Sequence, residues 1–196
     1  MLIVYFYIST IVKHMNKNII NQKDTTILTS CTIDTPVGHM LAISDNHALY
    51  FLGFIERNNL EQEIKQLCFV TKTTIISGTS APIESITSEL SAYFNGTLQE
   101  FKTPLHIIGT EFQQKCWKAL QNIPYGQTIS YTAQALAINN KSAQRAVGSA
   151  NGNNKFSIII PCHRVTNKSD KLGGYNGGID RKQWLIDFEK QHINKH

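Results

Sequence analysis

The segment IIIPCHRV, residues 158–165, ends an apolar run with a proline and then presents a thiol, an imidazole and a guanidinium in succession. The three isoleucines predict a short buried strand, which Pro161 should end because proline cannot donate a hydrogen bond to a sheet. A thiolate is a strong nucleophile, and nearby cations lower the pKa of a thiol. Cys162 and His163 are therefore candidates for nucleophilic chemistry, with the imidazole reaching the thiol through a turn or a water molecule.

A carboxylate that could complete this chemistry lies near the C-terminus. The last helix is predicted to start near Asp180, which has capping-box spacing to Gln183. Glu189 lies next to the apolar face of that helix, where a carboxylate needs a partner. It either turns out to solvent or orients a histidine, as in a carboxylate–imidazole–thiol triad.

The cysteine and histidine alone do not decide the chemistry. A buried thiol beside a solvated imidazole is the simpler interpretation of an isolated Cys-His pair. A metal site is a weaker interpretation, because adjacent residues chelate one ion badly and the spacing offers no third ligand. The four cysteines are widely spaced and form no CxxC pair, which argues against a disulfide framework or a zinc knuckle. A reducing, cytoplasmic setting is the expectation.

The composition is that of a globular protein, with 196 residues, 41% hydrophobic and 17% charged. Its net charge of +5 is unevenly placed. Residues 1–104 hold seven Lys and Arg against nine Asp and Glu, whereas residues 105–196 hold 12 against five. The basic half favours a polyanionic partner, although a solvated basic surface would give the same counts.

The chain divides into three parts. Residues 1–24 are predicted to be an N-terminal extension. Its apolar start, MLIVYFYISTIVKHM, is too short to span a bilayer comfortably and is a poor signal peptide. Residues 25–104 predict an α/β domain with a small antiparallel sheet, followed by helices near 59–69 and 83–95. Residues 105–196 predict a mainly helical domain that carries the cysteine. The expected fold class is therefore α+β or α/β.

Two short helices in the second half predict a helix-turn-helix. Ser130 can cap a helix that runs through Leu136, INN at 138–140 is a turn, and residues 141–152 form the second helix. That second helix carries Arg145 among small residues such as Ala146 and Gly148. Small residues allow close packing inside a protein or close approach to a nucleic-acid groove, and the pattern fits both equally.

The whole set of motifs resembles one family. The segments IIIPCHRV, LGGYNGG, GTEFQQKCWKAL, IPYGQTISY and RAVGSANGN resemble those of the methylated-DNA–protein-cysteine methyltransferases, or O6-alkylguanine-DNA alkyltransferases. The resemblance is dense after residue 104 and thin before it. It implies an N-terminal α/β domain, a C-terminal helix-turn-helix domain and double-stranded DNA containing O6-alkylguanine as the partner. It also implies a monomer that acts once.

The resemblance implies four catalytic residues. Cys162 matches the alkyl acceptor, which attacks the alkyl carbon on guanine O6. His163 matches the residue that takes the thiol proton through a water, and Glu189 matches the carboxylate that orients His163. Asn154 matches the asparagine that braces the active-site turn. It is followed by Lys155, where many relatives carry proline, which predicts a less rigid turn.

The resemblance also implies the DNA-facing residues. Tyr131 and Arg145 match the pair that rotates the damaged nucleotide out of the duplex. This rotation is needed because a protein thiol cannot reach an alkyl group on a base that is still stacked in the duplex. Other residues are expected at the DNA or at the wall of the base pocket: Ser130, Ala146 and Gly148 at the DNA, and Pro161, Val165, Tyr175 and Asn176 at the pocket.

The sequence shows no cofactor motif and no matched zinc ligands, so neither a cofactor nor a metal is expected. Three alternatives compete with repair. A non-catalytic lesion binder would lack the cysteine, a methylation-sensing transcription factor would carry a cysteine-rich zinc module, and a thiol hydrolase would need oxyanion donors that the sequence does not locate.

Overall fold

The computed structural model describes residues 26–167 and 172–193. The predicted N-terminal extension therefore lies outside the described residues. The N-terminal part holds four strands and two helices: β1 (Thr26–Thr35), β2 (Gly38–Ser44), β3 (Leu49–Phe54), α1 (Leu60–Thr71), β4 (Thr73–Ser77) and α2 (Ala81–Phe94).

The four strands form one sheet in the order β3-β2-β1-β4. The first three strands are antiparallel, as expected, but β4 pairs parallel to β1, from Thr26 opposite Thr73 to Ser30 opposite Ser77. The predicted antiparallel strands are therefore confirmed, and β4 adds a parallel strand that the sequence analysis did not predict. The segment TTIIS is too short to stand out in the sequence, and α1 supplies the crossover that a parallel strand requires.

The sheet is buried on both faces by one helix each. Helix α1 packs Ile64 and Cys68 against one face, together with Leu28, Leu41 and Phe51. The expectation that Cys68 is a core residue is confirmed, since 3% of it is exposed. Helix α2 packs on the opposite face within the larger core, which continues into the second half of the chain through Trp117, Phe156 and Leu185.

The described residues of the C-terminal part form four α-helices and two short strands: α3 (Glu111–Gln121), β5 (Ile129–Ser130), α4 (Tyr131–Ala137), α5 (Gln144–Gly152), β6 (Val165–Thr166) and α6 (Ile179–Gln191). Thr110 and Gln113 form the predicted capping box at α3. Helices α4 and α5 are the predicted helix-turn-helix, although α5 begins three residues later than expected. The two are joined through a buried amide pair, in which Gln134 and Asn151 exchange two hydrogen bonds.

The predicted strand at 158–160 is absent. The isoleucines instead lie in a compact turn, in which Ile158 adopts a φ of 73°. A left-handed conformation is costly for a β-branched residue, and Ile158 is held in it by burial, with 1% exposed. The Cys162 backbone N–H donates to the Ile160 carbonyl at 2.8 Å. A short 3₁₀-helix, Cys162–Arg164, follows and carries the cysteine.

The start of α6 differs from the prediction. Gly178 is the N-cap residue, with a φ of 96°, and it makes no side-chain capping bond, so the capping box expected from Asp180 does not form. A glycine reaches this conformation at little steric cost. Starting the helix one residue earlier leaves Lys182, Leu185 and Glu189 on its buried face. In the described part of the chain, every helix is too short or too polar to cross a membrane.

Candidate active site

Cys162 lies at a cavity of about 390 Å³ between the helix-turn-helix and the glycine-rich loop, LGGYNGG at residues 172–178. The cavity is lined on one side by Tyr131 and Gly148 and on the other by Gly173 and Tyr175. A side chain at Gly173 would come within 2.7 Å of the Tyr131 ring, so the loop can approach this closely only as glycine. The cavity therefore gives the thiol a recess open to the helix-turn-helix face.

Asn154 connects the nucleophile to the turn that carries it. Its amide nitrogen donates to the Ile160 carbonyl at 2.8 Å and to Sγ of Cys162 at 3.3 Å. Its side-chain oxygen accepts from the Phe156 backbone N–H at 2.9 Å. One buried amide thus binds both ends of the turn and the thiol.

The following residue, Lys155, does not leave this region loose. Its ammonium lies 3.1 Å from Oε1 of Glu63, which also pairs with Arg57 at 3.1 Å. Arg57 in turn donates to the Asn154 carbonyl at 3.2 Å. Arg57, between β3 and α1, and Glu63, in α1, therefore hold the backbone at Asn154 in position, although Lys155 stands where many relatives have a proline that would stiffen it.

Glu189 is a buried carboxylate surrounded by donors. Oε1 lies 2.8 Å from Nε2 of His163, and Arg164 binds both oxygens, with its Nε 2.8 Å from Oε2. Oε2 also accepts from the Gly126 backbone N–H at 3.0 Å. Burial alone would raise the pKa of Glu189, but the His163 ring and the Arg164 guanidinium outweigh it and hold the pKa well below its usual range. The group is therefore a carboxylate at neutral pH.

His163 is held so that one ring nitrogen remains available. Because Nε2 faces a carboxylate oxygen, it carries the proton in the neutral ring, which leaves Nδ1 as the acceptor. Nδ1 is buried and has no hydrogen-bond partner among the described residues. Burial lowers the pKa of His163 against the opposing pull of Glu189, so the ring is neutral at pH 7. The arrangement is that of a base with its acceptor nitrogen unused.

Cys162 is a thiol in its resting state. Burial raises its pKa, and the hydrogen bond from Asn154 opposes this shift only in part. A thiol of this kind needs a base to become a nucleophile. No hydrogen bond joins His163 to Sγ in the described chain, so proton transfer between the two side chains requires a small movement or a bridging water.

The DNA-facing candidates lie on the helix-turn-helix, and two of them, Tyr131 and Gly148, line the cavity. Tyr131 begins α4, and its hydroxyl lies 3.5 Å from the Gly174 carbonyl. Ser130 accepts from the Ala133 N–H as the N-cap of α4. Arg145 and Ala146 are exposed in the first turn of α5, and Gly148 faces Tyr131.

Of the four residues expected at the pocket, Tyr175 and Asn176 line the cavity, whereas Pro161 and Val165 do not. Asn176 donates to the Gly152 carbonyl at 3.1 Å and so ties the glycine-rich loop to the end of α5. The Tyr175 ring lies edge-on to His163, with centroids 6.5 Å apart. Pro161 and Val165 are buried on either side of the cysteine-bearing helix.

The sequence analysis assigned no role at the site to four buried residues of this region: Arg57, Tyr93, Arg164 and Lys182. Lys182 is fully buried, and its ammonium donates to the Val165 carbonyl at 2.6 Å and lies 3.3 Å from the Gly173 carbonyl. Its spacing from Leu185 and Glu189 on α6 was the available signal. Arg57 and Tyr93 lie far from the cysteine in sequence and carried no signal. In the described part of the chain, no three His, Cys, Asp or Glu side chains cluster as metal ligands would.

Comparison with known families accounts for nearly all of the described chain. Residues 28–107 match the ribonuclease-like domain of 6-O-methylguanine DNA methyltransferase. Residues 111–191 match the DNA binding domain of the same family.

Curated relatives and solved structures agree with this match. The methylated-DNA–protein-cysteine methyltransferase of Mycobacterium tuberculosis is 41% identical over 81% of this chain and 90% of its own length. That of Methanosarcina barkeri is 37% identical over 82% and 96%. A crystal structure of Mycobacterium tuberculosis OGT in complex with DNA is similar at a TM-score of 0.72, with 40% identity over 85% of this chain and 94% of that one. The chain belongs to the family of methylated-DNA–protein-cysteine methyltransferases.

Proposed function

We propose that this protein repairs DNA by transferring the alkyl group of O6-alkylguanine to its own Cys162. The observation that carries the proposal is the position of Sγ at a cavity of about 390 Å³, with Asn154 on one side and the His163–Glu189 pair behind it. Relatives that share most of the chain bear the name of this activity. The same site would accept O4-methylthymine if that base entered the cavity.

The transfer is a single displacement. Sγ attacks the alkyl carbon, a carbon–sulfur bond forms, and the bond from carbon to guanine O6 breaks with its electrons left on the guanine. The thiol proton passes to Nδ1 of His163, directly or through a water, and the guanine takes up one proton in its place. Glu189 stabilises the imidazolium formed in this step. The product is a thioether, which the residues around Cys162 have no means to cleave, so each molecule reacts once.

DNA would meet the site through the helix-turn-helix. An O6-alkyl group lies within the base stack, so the nucleotide must leave the duplex before a recessed thiol can reach it. Arg145 is exposed on α5, where it can occupy the space that the extruded nucleotide leaves in the base stack. Tyr131 lines the cavity, where it would lie beside the DNA strand that carries this nucleotide. The excess of basic residues in 105–196 supports contact with phosphates. One copy of the chain holds every group this reaction uses, in keeping with a monomer.

The test is the intact mass of the protein after incubation with duplex DNA that carries one O6-methylguanine. We expect a gain of one methyl group per molecule, mapped to Cys162 by peptide analysis and absent from Cys162→Ser. Cys31→Ser is the matched control, because Cys31 is the other partly exposed cysteine and lies on the sheet. Binding to the DNA without a mass change would show a lesion-recognition protein instead and would overturn the transfer reaction.

A further inference from the structure

Tyr93 brings a hydroxyl from the N-terminal part of the chain into the candidate active site. It lies near the end of α2, is fully buried and donates to Oε1 of Glu189 at 2.8 Å. The same oxygen faces Nε2 of His163 at 2.8 Å and Nη2 of Arg164 at 3.0 Å. Tyr93 thus shares its acceptor atom with the histidine.

We propose that Tyr93 is a positioning residue for alkyl transfer, whose hydroxyl fixes the Glu189 carboxylate and limits how strongly that carboxylate attracts a proton on His163. The proposal rests on the proposed function, in which His163 receives the thiol proton. It gives the N-terminal part a hydrogen bond to the carboxylate of the His163–Glu189 pair, beside the bond from Arg57 that braces the backbone at Asn154.

Packing alone does not account for a tyrosine at this position. The Tyr93 ring contacts four aromatic rings, those of Phe94, Phe101, Tyr125 and Phe188. A phenylalanine would fill the same space without a polar atom to desolvate. Burial, together with the Glu189 charge, raises the pKa of Tyr93 well above its usual value, so the hydroxyl stays protonated and can donate to Glu189. Among the described residues, its hydroxyl has one hydrogen-bond partner, Glu189.

The charges around His163 determine what loss of this hydroxyl does. Glu189 faces the ring at Nε2, Arg164 and Lys182 add positive charge, and the ionisable side chains of Cys162 and Tyr175 lie beside it. Burial lowers the pKa of His163, the charge and hydrogen bond of Glu189 raise it, and the Arg164 and Lys182 cations lower it. A donor hydrogen bond to Oε1 weakens the attraction of that carboxylate for a proton on Nε2. Removing the bond therefore makes His163 more basic.

The experiment is the rate of methyl transfer from O6-methylguanine DNA as a function of pH, for the wild type and Tyr93→Phe. Transfer needs neutral His163, so the rate should fall on the acid side as the ring becomes protonated. In Tyr93→Phe we expect this acid limb to move up by about half a pH unit, which lowers the rate about threefold at a fixed pH on the limb. The pKa of His163 from NMR of the unreacted protein should rise by the same amount.

Tyr125→Phe is the matched control. The Tyr125 hydroxyl is also buried near this cluster but has no hydrogen-bond partner among the described residues, so its removal should leave the limb in place. A general loosening of the structure would slow Tyr93→Phe equally at every pH without moving the limb. In a Glu189→Gln background, Tyr93→Phe should produce no further shift.

An unchanged acid limb together with an unchanged His163 pKa in Tyr93→Phe would overturn the proposal. A wild type that transfers no methyl group would instead overturn the function on which it rests, and the NMR titration would still report on the hydrogen bond. Should Tyr93→Phe fail to fold, a ring-fluorinated tyrosine at position 93 replaces it. That residue is a stronger donor, so the His163 pKa must then fall, and a pKa that stays constant or rises contradicts the proposal.

Discussion

The Asn154 amide nitrogen lies 3.3 Å from Sγ of Cys162, and the same nitrogen donates to the Ile160 carbonyl at 2.8 Å. One side chain therefore holds both the thiol and the turn that presents it. A hydrogen bond donated to sulfur favours the thiolate over the thiol, which opposes the effect of burial on the Cys162 pKa.

Loss of this amide should slow transfer and destabilise the fold. In Asn154→Ala we expect a loss of about 1–3 kcal/mol in the free energy of unfolding, because buried backbone groups of the turn lose their partners. The transfer rate should fall by about tenfold or more, which corresponds to about 1.4 kcal/mol in the barrier. Denaturant unfolding and single-turnover kinetics measure the two effects. Asn153→Ala is the control, since the neighbouring Asn153 is exposed, and equal rates in both variants would contradict the assigned role.

Glu189→Gln should separate chemistry from DNA binding. The amide keeps the size of the side chain but loses the negative charge that stabilises protonated His163, so we expect a transfer rate about tenfold to a hundredfold lower. Glu189 is 1% exposed and binds His163 and Arg164 of the cysteine-bearing helix, so it offers no surface to DNA, and affinity for duplex DNA should remain nearly constant. Rapid-quench kinetics and fluorescence anisotropy give the two quantities. A wild-type transfer rate in this variant would remove Glu189 from the mechanism.

The stability of the unreacted protein should fall as pH falls below about 6.5. Folding lowers the pKa of His163 from 6.5. Between 6.5 and the lower pKa of the folded state, the unfolded chain binds one more proton than the folded chain, so acidification favours unfolding. The pKa of Glu189 is lowered from 4.5, so its contribution is present above 4.5 and is lost as the pH falls further. Both effects have the same sign. Thermal melts from pH 7.5 to 3.5 should show this decline, with a shallower slope below pH 4.5 in Glu189→Gln.

Arg145→Ala should weaken repair of duplex DNA far more than reaction with the free O6-alkylguanine base. The free base needs no extrusion, so only the duplex reaction depends on a side chain that replaces it in the stack. The comparison is the ratio of the two rates in the variant and the wild type. Lys141→Ala is the control, because Lys141 is another exposed cation close to the start of α5 and should contribute mainly to phosphate binding. An equal loss on both substrates would contradict a role in extrusion.

Much of the local structure follows from the sequence. The helical period and the capping residues predicted α2, α3 and α4, since Ser130 and the Thr110–Gln113 pair satisfy backbone N–H groups close by in the chain. The buried position of Cys68 followed from its spacing on α1. The segment containing Cys162 indicated the family only together with the other motifs of the second half, such as LGGYNGG and RAVGSANGN.

Other features were decided only by tertiary structure. The isoleucines at 158–160 have strand propensity, yet the side chain of Asn154 and the surrounding core impose a turn with Ile158 at a positive φ. The parallel pairing of β4 depends on where α1 places it, which local sequence does not specify.

The sequence by itself determined which groups carry the chemistry: a thiol, an imidazole and a carboxylate, each named by its residue type and position. Only the tertiary structure decided what holds them. Tyr93 reaches Glu189 across 96 residues of sequence, and Arg57 reaches the Asn154 carbonyl across 97. Neither residue has a local pattern that predicts its partner, because hydrogen bonds between distant segments form only after the two halves of the core have packed together.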